Sequence, residues 1–244
     1  MLCEVHALSV STRKRVLLQD VSMHIEKGKI YGLIGNNGAG KTTLLKAIAG
    51  LIRIDKGTIT FSKENVKIGY DIGDYTEIVG MSGRNVLSYY ARLCDCYTGE
   101  YIDSLMEEVG LTEHAGERFG KYSVGMKQRL YFAIAILGNP DLLLLDEPTS
   151  GIDYAANIRI KEMIIQMKER DRVSAVISSH ALEHLYEISD FFIFLREGKM
   201  VSKISKNELL ARNSMPSDAS YDKVRDIFSG FILESEERHE NSTG

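Results

Sequence analysis

The chain has 244 residues, enough for one large α/β domain or two small ones with a sizeable core. Its 44% hydrophobic and 26% charged residues are ordinary globular composition, and no apolar run approaches the ~18 residues of a membrane span. A formal net charge of −4 argues against nucleic acid or an anionic membrane surface as the main partner. Three cysteines, Cys3, Cys94 and Cys96, give no even disulfide framework. Cys94-Asp95-Cys96 has the wrong spacing for a zinc knuckle or a C-x-x-C redox pair, which points to free thiols in a reducing compartment. Met1–Glu4 has no basic stretch leading into an apolar one, so a cytoplasmic chain without a secretory signal is expected.

From Leu2 to Ile25 the chain mixes β-prone residues with a basic turn at Thr12-Arg13-Lys14-Arg15, and Val21–Ile25 alternates as a half-buried strand does. His6 and His24 fall in these patterns and read as strand histidines rather than ligands. Ile30-Tyr31-Gly32-Leu33-Ile34 is a strand pattern and Leu44–Ala49 a helical one. Between them runs Gly35-Asn36-Asn37-Gly38-Ala39-Gly40-Lys41-Thr42, with Thr43 following, a complete G-x-x-x-x-G-K-[ST] phosphate loop in its proper context. Its glycines let backbone N–H groups face phosphate oxygens, and the helix N-terminus adds partial positive charge. Lys41 is expected to reach the β- and γ-phosphates, and the Thr42 hydroxyl to ligate Mg²⁺.

Gly50 reads as the stop of that helix. Lys56-Gly57 is a turn into the strand Thr58–Phe61, and Val66–Tyr70 reads as another strand. From Ser82 to Gly138 the texture is helical, with Val86, Leu87, Tyr90 and Leu93, then Ile102, Leu105, Met106 and Val109, spaced as apolar faces. The four leucines of Leu142–Leu145 fit a strand buried on both faces of a parallel sheet, ending in Asp146-Glu147-Pro148. Carboxylates at such a strand end lie at the ligand crevice of open α/β sheets. Asp146 is therefore placed to hold the Mg²⁺ of a nucleotide on the neighbouring loop, largely through water, and Glu147 to accept a proton from an attacking water. Ser174–Ser179 reads as the next strand, with His180 just past its end, where it can bond a γ-phosphate or cap the helix that follows. Phe191–Leu195 and Met200–Ser202 suggest two strands around Glu197-Gly198-Lys199. From Ser214 the chain is polar, and Glu234–Arg238 onward reads as a solvated end. No internal repeat is present.

Tyr122-Ser123-Val124-Gly125-Met126-Lys127-Gln128-Arg129-Leu130 opens an apolar helix that Gly138-Asn139-Pro140 terminates. This stretch resembles the signature motif of ATP-binding-cassette (ABC) ATPases, usually Leu-Ser-Gly-Gly-Gln, in a spelling similar to cassettes of bacterial antibiotic and lantibiotic exporters. Ser150-Gly151-Ile152-Asp153 is similar to the family's D-loop, and His180 falls where its switch histidine belongs. The order of phosphate loop, helical insert, signature, Asp-Glu strand, D-loop and histidine is also the family's. The resemblance covers about residues 1–205.

That resemblance implies an α/β P-loop NTPase with a mostly parallel core sheet flanked by helices, an N-terminal antiparallel β subdomain and an inserted helical subdomain. A single domain would span 1–244, with the insert at about 82–138 and a C-terminal extension at about 211–244. ATP and Mg²⁺ are the implied cofactors, and Glu147 and His180 the implied catalytic residues. Ser123, Val124, Gly125 and Met126 would close in trans on the γ-phosphate held by Lys41 of a second cassette, identical or not. Separate transmembrane permease subunits are the implied partners, at the inner face of the cell membrane, with the chain powering export. A soluble cassette ATPase of a regulatory or assembly complex is the alternative. A nucleotide or metabolite kinase explains the phosphate loop alone.

The chain departs from the family in three places. Val10–Arg15 lacks the usual adenine-stacking aromatic. Asp71-Ile72-Gly73-Asp74 stands where a glutamine is usual, with Asp74 the candidate Mg²⁺ or water contact. Val124 and Met126 replace Gly and Gln in the signature, which keeps the Gly125 backbone contact and loses the glutamine side chain.

Overall fold

The computed structural model describes residues 1–71, 80–179, 182–228 and 230. Its strands form two sheets. The smaller is antiparallel, in the order β2-β1-β4, from β1 (Cys3–Ser11), β2 (Val16–Ile25) and β4 (Lys56–Phe61). The larger has six strands in the order β5-β6-β7-β3-β8-β9. These are β3 (Ile30–Ile34), β5 (Ile68–Asp71), β6 (Leu142–Asp146), β7 (Ser174–Ser178), β8 (Phe191–Arg196) and β9 (Lys199–Ser205). Every pairing is parallel except β8 with β9, a hairpin around Glu197-Gly198.

The strands β3, β6 and β7 are continuous apolar runs because both of their faces are covered. Strand alternation divides the core in two. Leu143, Leu145, Ala175, Ile177, Phe192 and Phe194 face one side, toward helices α2 (Gly83–Leu93), α3 (Gly99–Glu108), α4 (Val124–Ala135) and α5 (Tyr154–Asp171). Leu142, Leu144, Val176, Ile193 and Leu195 face the other, where α1 (Lys41–Ile48) fills the space between the two sheets. A one-residue slip of β6 would exchange these two sets, so the register is specified from both sides.

The helical stretch begins and restarts where short polar side chains cap orphan N–H groups. Ser82, Thr98 and Ser123 accept from Asn85, Tyr101 and Met126 at the starts of α2, α3 and α4. Arg129 of α4 donates to the Val109 and Gly110 carbonyls at 3.1 and 2.8 Å, fixing α4 against the end of α3. After β7 come α6 (Leu182–Ile188) and, beyond β9, α7 (Lys206–Arg212).

β7 lies between the Asp146 strand and the glycine-loop strand, its Ser178 opposite both Leu33 and Asp146. The chain beyond Ser214, polar in sequence, is not wholly exposed. Ala219, Val224 and Phe228 are buried, and the Tyr186 hydroxyl donates to the Ala219 carbonyl at 2.6 Å. The Phe228 ring meets Phe192 edge-on at 4.9 Å and Tyr186 at 6.1 Å. Three apolar residues among charged ones suffice, because they share one side of the 221–228 helical turns or of the turn before them. Residues 231–244 lie outside the described set.

Truncating Phe228 removes a fully buried ring from the β8 face. Phe228→Ala is expected to cost about 3–4 kcal/mol of stability, read from denaturant unfolding monitored by circular dichroism. A change within ~0.5 kcal/mol, as for a surface site, would show the ring is not in the core.

Candidate nucleotide site

The glycine-rich loop leaves the C-terminal end of β3 and enters α1 through Gly40, the helix N-cap at φ 105°. A side chain there would also meet Leu18 Cδ2 at 2.8 Å and the Leu17 carbonyl at 3.0 Å. At Gly35 a Cβ would lie 2.3 Å from the Leu195 carbonyl. Both positions therefore require glycine, one for its backbone angle and both for close approach.

The loop borders a cleft of about 380 Å³ lined by Asn36 to Thr43, Asp146, Glu147, Arg15, Val16, Leu17 and Glu197. Lys41 is buried in it, and its Nζ donates to the Gly35 carbonyl at 2.6 Å. Burial pushes the ammonium pKa down, while Glu147 and Asp146 act to hold it up. The Thr42 hydroxyl lies 2.5 Å from Asp146 Oδ2 and donates to it, and Ser178 Oγ donates to Asp146 Oδ1 at 2.5 Å. The tips of two strands, β6 and β7, and the first turn of α1 thus meet at one carboxylate. Glu147 follows in the left-handed region at φ 56°, with its N–H bonded to the Ser178 carbonyl and hydroxyl at 3.2 and 3.1 Å. A non-glycine residue held there marks backbone re-aimed by its surroundings.

The signature residues stand elsewhere. Ser123 caps α4 and is exposed, as is Val124, and none of Ser123, Val124, Gly125 or Met126 lines the cleft. Gly125 packs instead near the Gly151 carbonyl and Ile152, beside Asp153, whose carboxylate caps α5 by accepting from Ala156 at 2.9 Å. That bond holds the Asp153 pKa below its usual value. His180 and Asp74 lie outside the described residues.

Two groups at the site escaped sequence reasoning. Ser178 is fully buried at the end of an apolar strand, and a hydroxyl in that position signals a demand for a partner. Asp71 ends β5 and is buried, accepting from Gln128 Nε2 of α4 at 2.6 Å. Burial, then the charge of Asp146, raises its pKa to about 7, against a smaller lowering by Gln128.

The sheet order and the loop at the tip of β3 define the class, a P-loop nucleotide triphosphatase. Residues 18–150 match the family described as ABC transporter. The chain is 34% identical over 219 residues to the bacitracin transport ATP-binding protein BcrA of Enterococcus faecalis, covering 86% of this chain and 71% of that one. It is 34% identical over 204 residues to the lantibiotic transport ATP-binding protein SrtF of Streptococcus pyogenes, covering 81% and 88%. A solved ATP-binding subunit of an ABC transporter superposes with a TM-score of 0.80 at 25% identity, over 94% of this chain and 100% of that one. The chain belongs to the ABC transporter family, as an ATP-binding subunit. It is an ATP hydrolase, and the antibiotic and lantibiotic transport proteins are among its relatives.

Asp71 supplies a pH test. Its pKa is raised on folding, so the folded state binds more protons between 3.8 and about 7. Its contribution to stability is present below 3.8 and is lost as the pH rises toward 7. Asn at this position keeps an acceptor for Gln128 and never ionises. Asp71→Asn is expected to gain on the order of 2 kcal/mol relative to the parent between pH 4.5 and pH 8. Thermal melts in EDTA without nucleotide read this, and a pH-independent difference would show that Asp71 ionises as an ordinary surface carboxylate.

Proposed function

We propose that the chain powers export through separate transmembrane permease subunits, by ATP-driven closure of two cassettes. The observation that carries the pairing is the separation of the two anion sites. The glycine loop and Lys41 line one cleft, while exposed Ser123 and Gly125 at the α4 N-terminus do not reach it. A helix N-terminus whose N–H groups face outward suits a phosphate presented by another copy or a second ATPase subunit. Ser123 and Gly125 of one cassette then close on the γ-phosphate held by Lys41 of the other, with Val124, Met126 and Asp153 beside them. ATP becomes part of the interface, so its binding favours closure and its hydrolysis opening.

Within the cleft, the backbone from Gly35 to Thr43 cradles the phosphates and Lys41 balances their charge. Thr42 and Asp146 offer hard oxygen donors 2.5 Å apart, a set that fits Mg²⁺ better than a softer metal. When bound, Mg²⁺ neutralises charge on the β- and γ-phosphates. Glu147 takes a proton from the water that attacks the γ-phosphorus, as the bond to the β–γ bridging oxygen breaks. His180 and Asp74 are proposed as γ-phosphate and Mg²⁺ or water contacts from the family's motif order.

Residues 1–244 are read as one ATPase domain, with 82–138 as its helical subdomain and 211–244 as its C-terminal extension. No described helix is long and apolar enough to cross a membrane. Attachment to the inner face of the cell membrane is therefore assigned to permease subunits. The bacitracin and lantibiotic transport proteins among the relatives support an export cargo of peptide, drug or lipid-like type.

Lys41→Ala is expected to reduce ATP affinity by at least a hundredfold in calorimetric titration, and an unchanged Kd would remove the loop from the binding site. Glu147→Gln should retain ATP binding, lose turnover by about 10²-fold or more and elute as an ATP-dependent dimer. Wild-type turnover in that variant would exclude Glu147 as the base. Tagged Glu147→Gln protein, recovered from detergent-solubilised host membranes with Mg-ATP, should bring a polytopic membrane protein with it. Recovery of soluble partners alone, from a bait that dimerises, would favour a regulatory or assembly ATPase.

A further inference from the structure

We infer that Arg129 and Arg159 are positioning residues: by converging on the C-terminal end of α3, they fix the Ser123 and Asp153 tips relative to one another for closure on a second cassette. The inference rests on the proposed pairing of cassettes and extends it to what aims the closing surface.

α3 ends in a Schellman turn. The Leu111 N–H donates to the Met106 carbonyl at 2.7 Å and the Gly110 N–H to the Glu107 carbonyl at 2.9 Å, with Gly110 in the left-handed region at φ 65°. The turn leaves the Glu108 and Val109 carbonyls, at the negative end of the helix dipole, without a donor from the helix itself. Side chains from two other helices reach this point. Arg129 Nη1 of α4 donates to the Val109 and Gly110 carbonyls at 3.1 and 2.8 Å. Arg159 Nη1 of α5 donates to the Glu107 and Glu108 carbonyls, at 3.4 Å each.

The two arginines hold equivalent places on their helices. Each is the sixth residue after an exposed N-cap whose side chain closes the first turn, Ser123 for α4 and Asp153 for α5. At 1.5 Å per residue, each anchor lies about 9 Å down its helix from the tip. The tips also touch, because Gly125 packs near the Gly151 carbonyl and Ile152. Arg129 reaches back along α4 as well, its Nε donating to the Gly125 carbonyl at 3.4 Å. Two helices held at two levels, the tips and the α3 anchor, keep one crossing angle; held at the tips alone, they pivot. A tilt of about 6° at the anchor moves a tip by about 1 Å, a displacement that costs phosphate contacts heavily.

Gly110 separates this role from ordinary helix capping. α1 ends in the same turn, with Leu51 donating to the Lys46 carbonyl at 2.9 Å, Gly50 donating to the Ala47 carbonyl at 3.1 Å, and Gly50 at φ 72°. A Cβ at Gly50 would meet nothing among the described residues within 4 Å, so that turn needs glycine for its backbone angle alone. A Cβ at Gly110 would lie 3.0 Å from Nη1 of both Arg129 and Arg159. A methyl group there adds the same backbone strain as at Gly50 and also pushes both guanidinium groups off the carbonyls.

The test uses the full chain in the Glu147→Gln background. ADP is titrated calorimetrically to read the cassette's own site, and ATP-dependent dimerisation is followed by analytical ultracentrifugation. Arg129→Ala and Gly110→Ala are expected to weaken the dimer by about tenfold or more, with ADP affinity within about twofold of the parent. Arg159→Ala, which removes longer bonds, should weaken it by about threefold. Arg129→Lys, a single ammonium for several acceptors, should recover part of the loss. Gly50→Ala should lower the melting temperature as Gly110→Ala does and leave dimerisation unchanged. The inference is overturned if Arg129→Ala and Gly110→Ala dimerise as the parent does. It is also overturned if Gly50→Ala weakens the dimer as much as Gly110→Ala, since loosened folding would then be the cause. A fall in ADP affinity matching the loss of dimer overturns it too, because the effect would lie in the cassette's own nucleotide site. Should Arg129→Ala fail to fold, Gly110→Ala against Gly50→Ala decides alone. A Glu147→Gln parent that stays monomeric with ATP refutes the pairing itself and the inference with it, whereas every other failure leaves the pairing intact.

Discussion

One carboxylate organises the candidate nucleotide site. Asp146 accepts from Thr42 at one oxygen and from Ser178 at the other, so the tips of β6 and β7 and the first turn of α1, which follows β3, are drawn to a single point. Each of those strands is buried on both faces and has little freedom to shift. A half-buried carboxylate shared between two hydroxyls keeps both bonds only while the strands keep register. Sheet order, loop conformation and the position of Glu147 all depend on that condition.

The position of β7 has a chemical consequence. With β7 inserted, Ser178 stands level with Asp146 and Leu33, and its carbonyl and hydroxyl also bind the Glu147 N–H. One serine thus orients the proposed metal ligand and the backbone of the proposed base. The left-handed backbone at Glu147 is held by those bonds, not by the residue's own preference.

A second connection runs from this centre to the helical insert. Asp71, at the end of the neighbouring β5, binds Gln128 one turn into the helix that Ser123 caps. The strand that ends in Asp71 and the helix that carries Ser123 to Met126 at its start therefore share a part-buried hydrogen bond. Rigid elements joined through a buried polar contact move together more readily than through apolar contact alone, because sliding would leave the carboxylate unpaired. The Gly125 contact with the Gly151–Ile152 stretch ties the same helix to the cap of α5.

The phosphate loop, the leucine strand with its acidic end, and the helical insert were legible in the chain because each is written locally. Gly35 to Thr42 specify their turn by backbone requirements that few residues meet, Leu142–Leu145 announce burial on both faces, and Ser82, Thr98 and Ser123 cap the helices they precede. Strand order is not local. Nothing in Ser174–Ser178 says that it will lie between β3 and β6, so the role of Ser178 could not be read before the sheet was assembled. The burial of Phe228 likewise depends on Tyr186 and Phe192, distant in sequence and adjacent only after folding. The chain by itself determined which residues could bind phosphate and which could pack. Tertiary structure alone decided which of them share a carboxylate, a cleft or a ring contact, because those energies arise between segments that the chain keeps far apart.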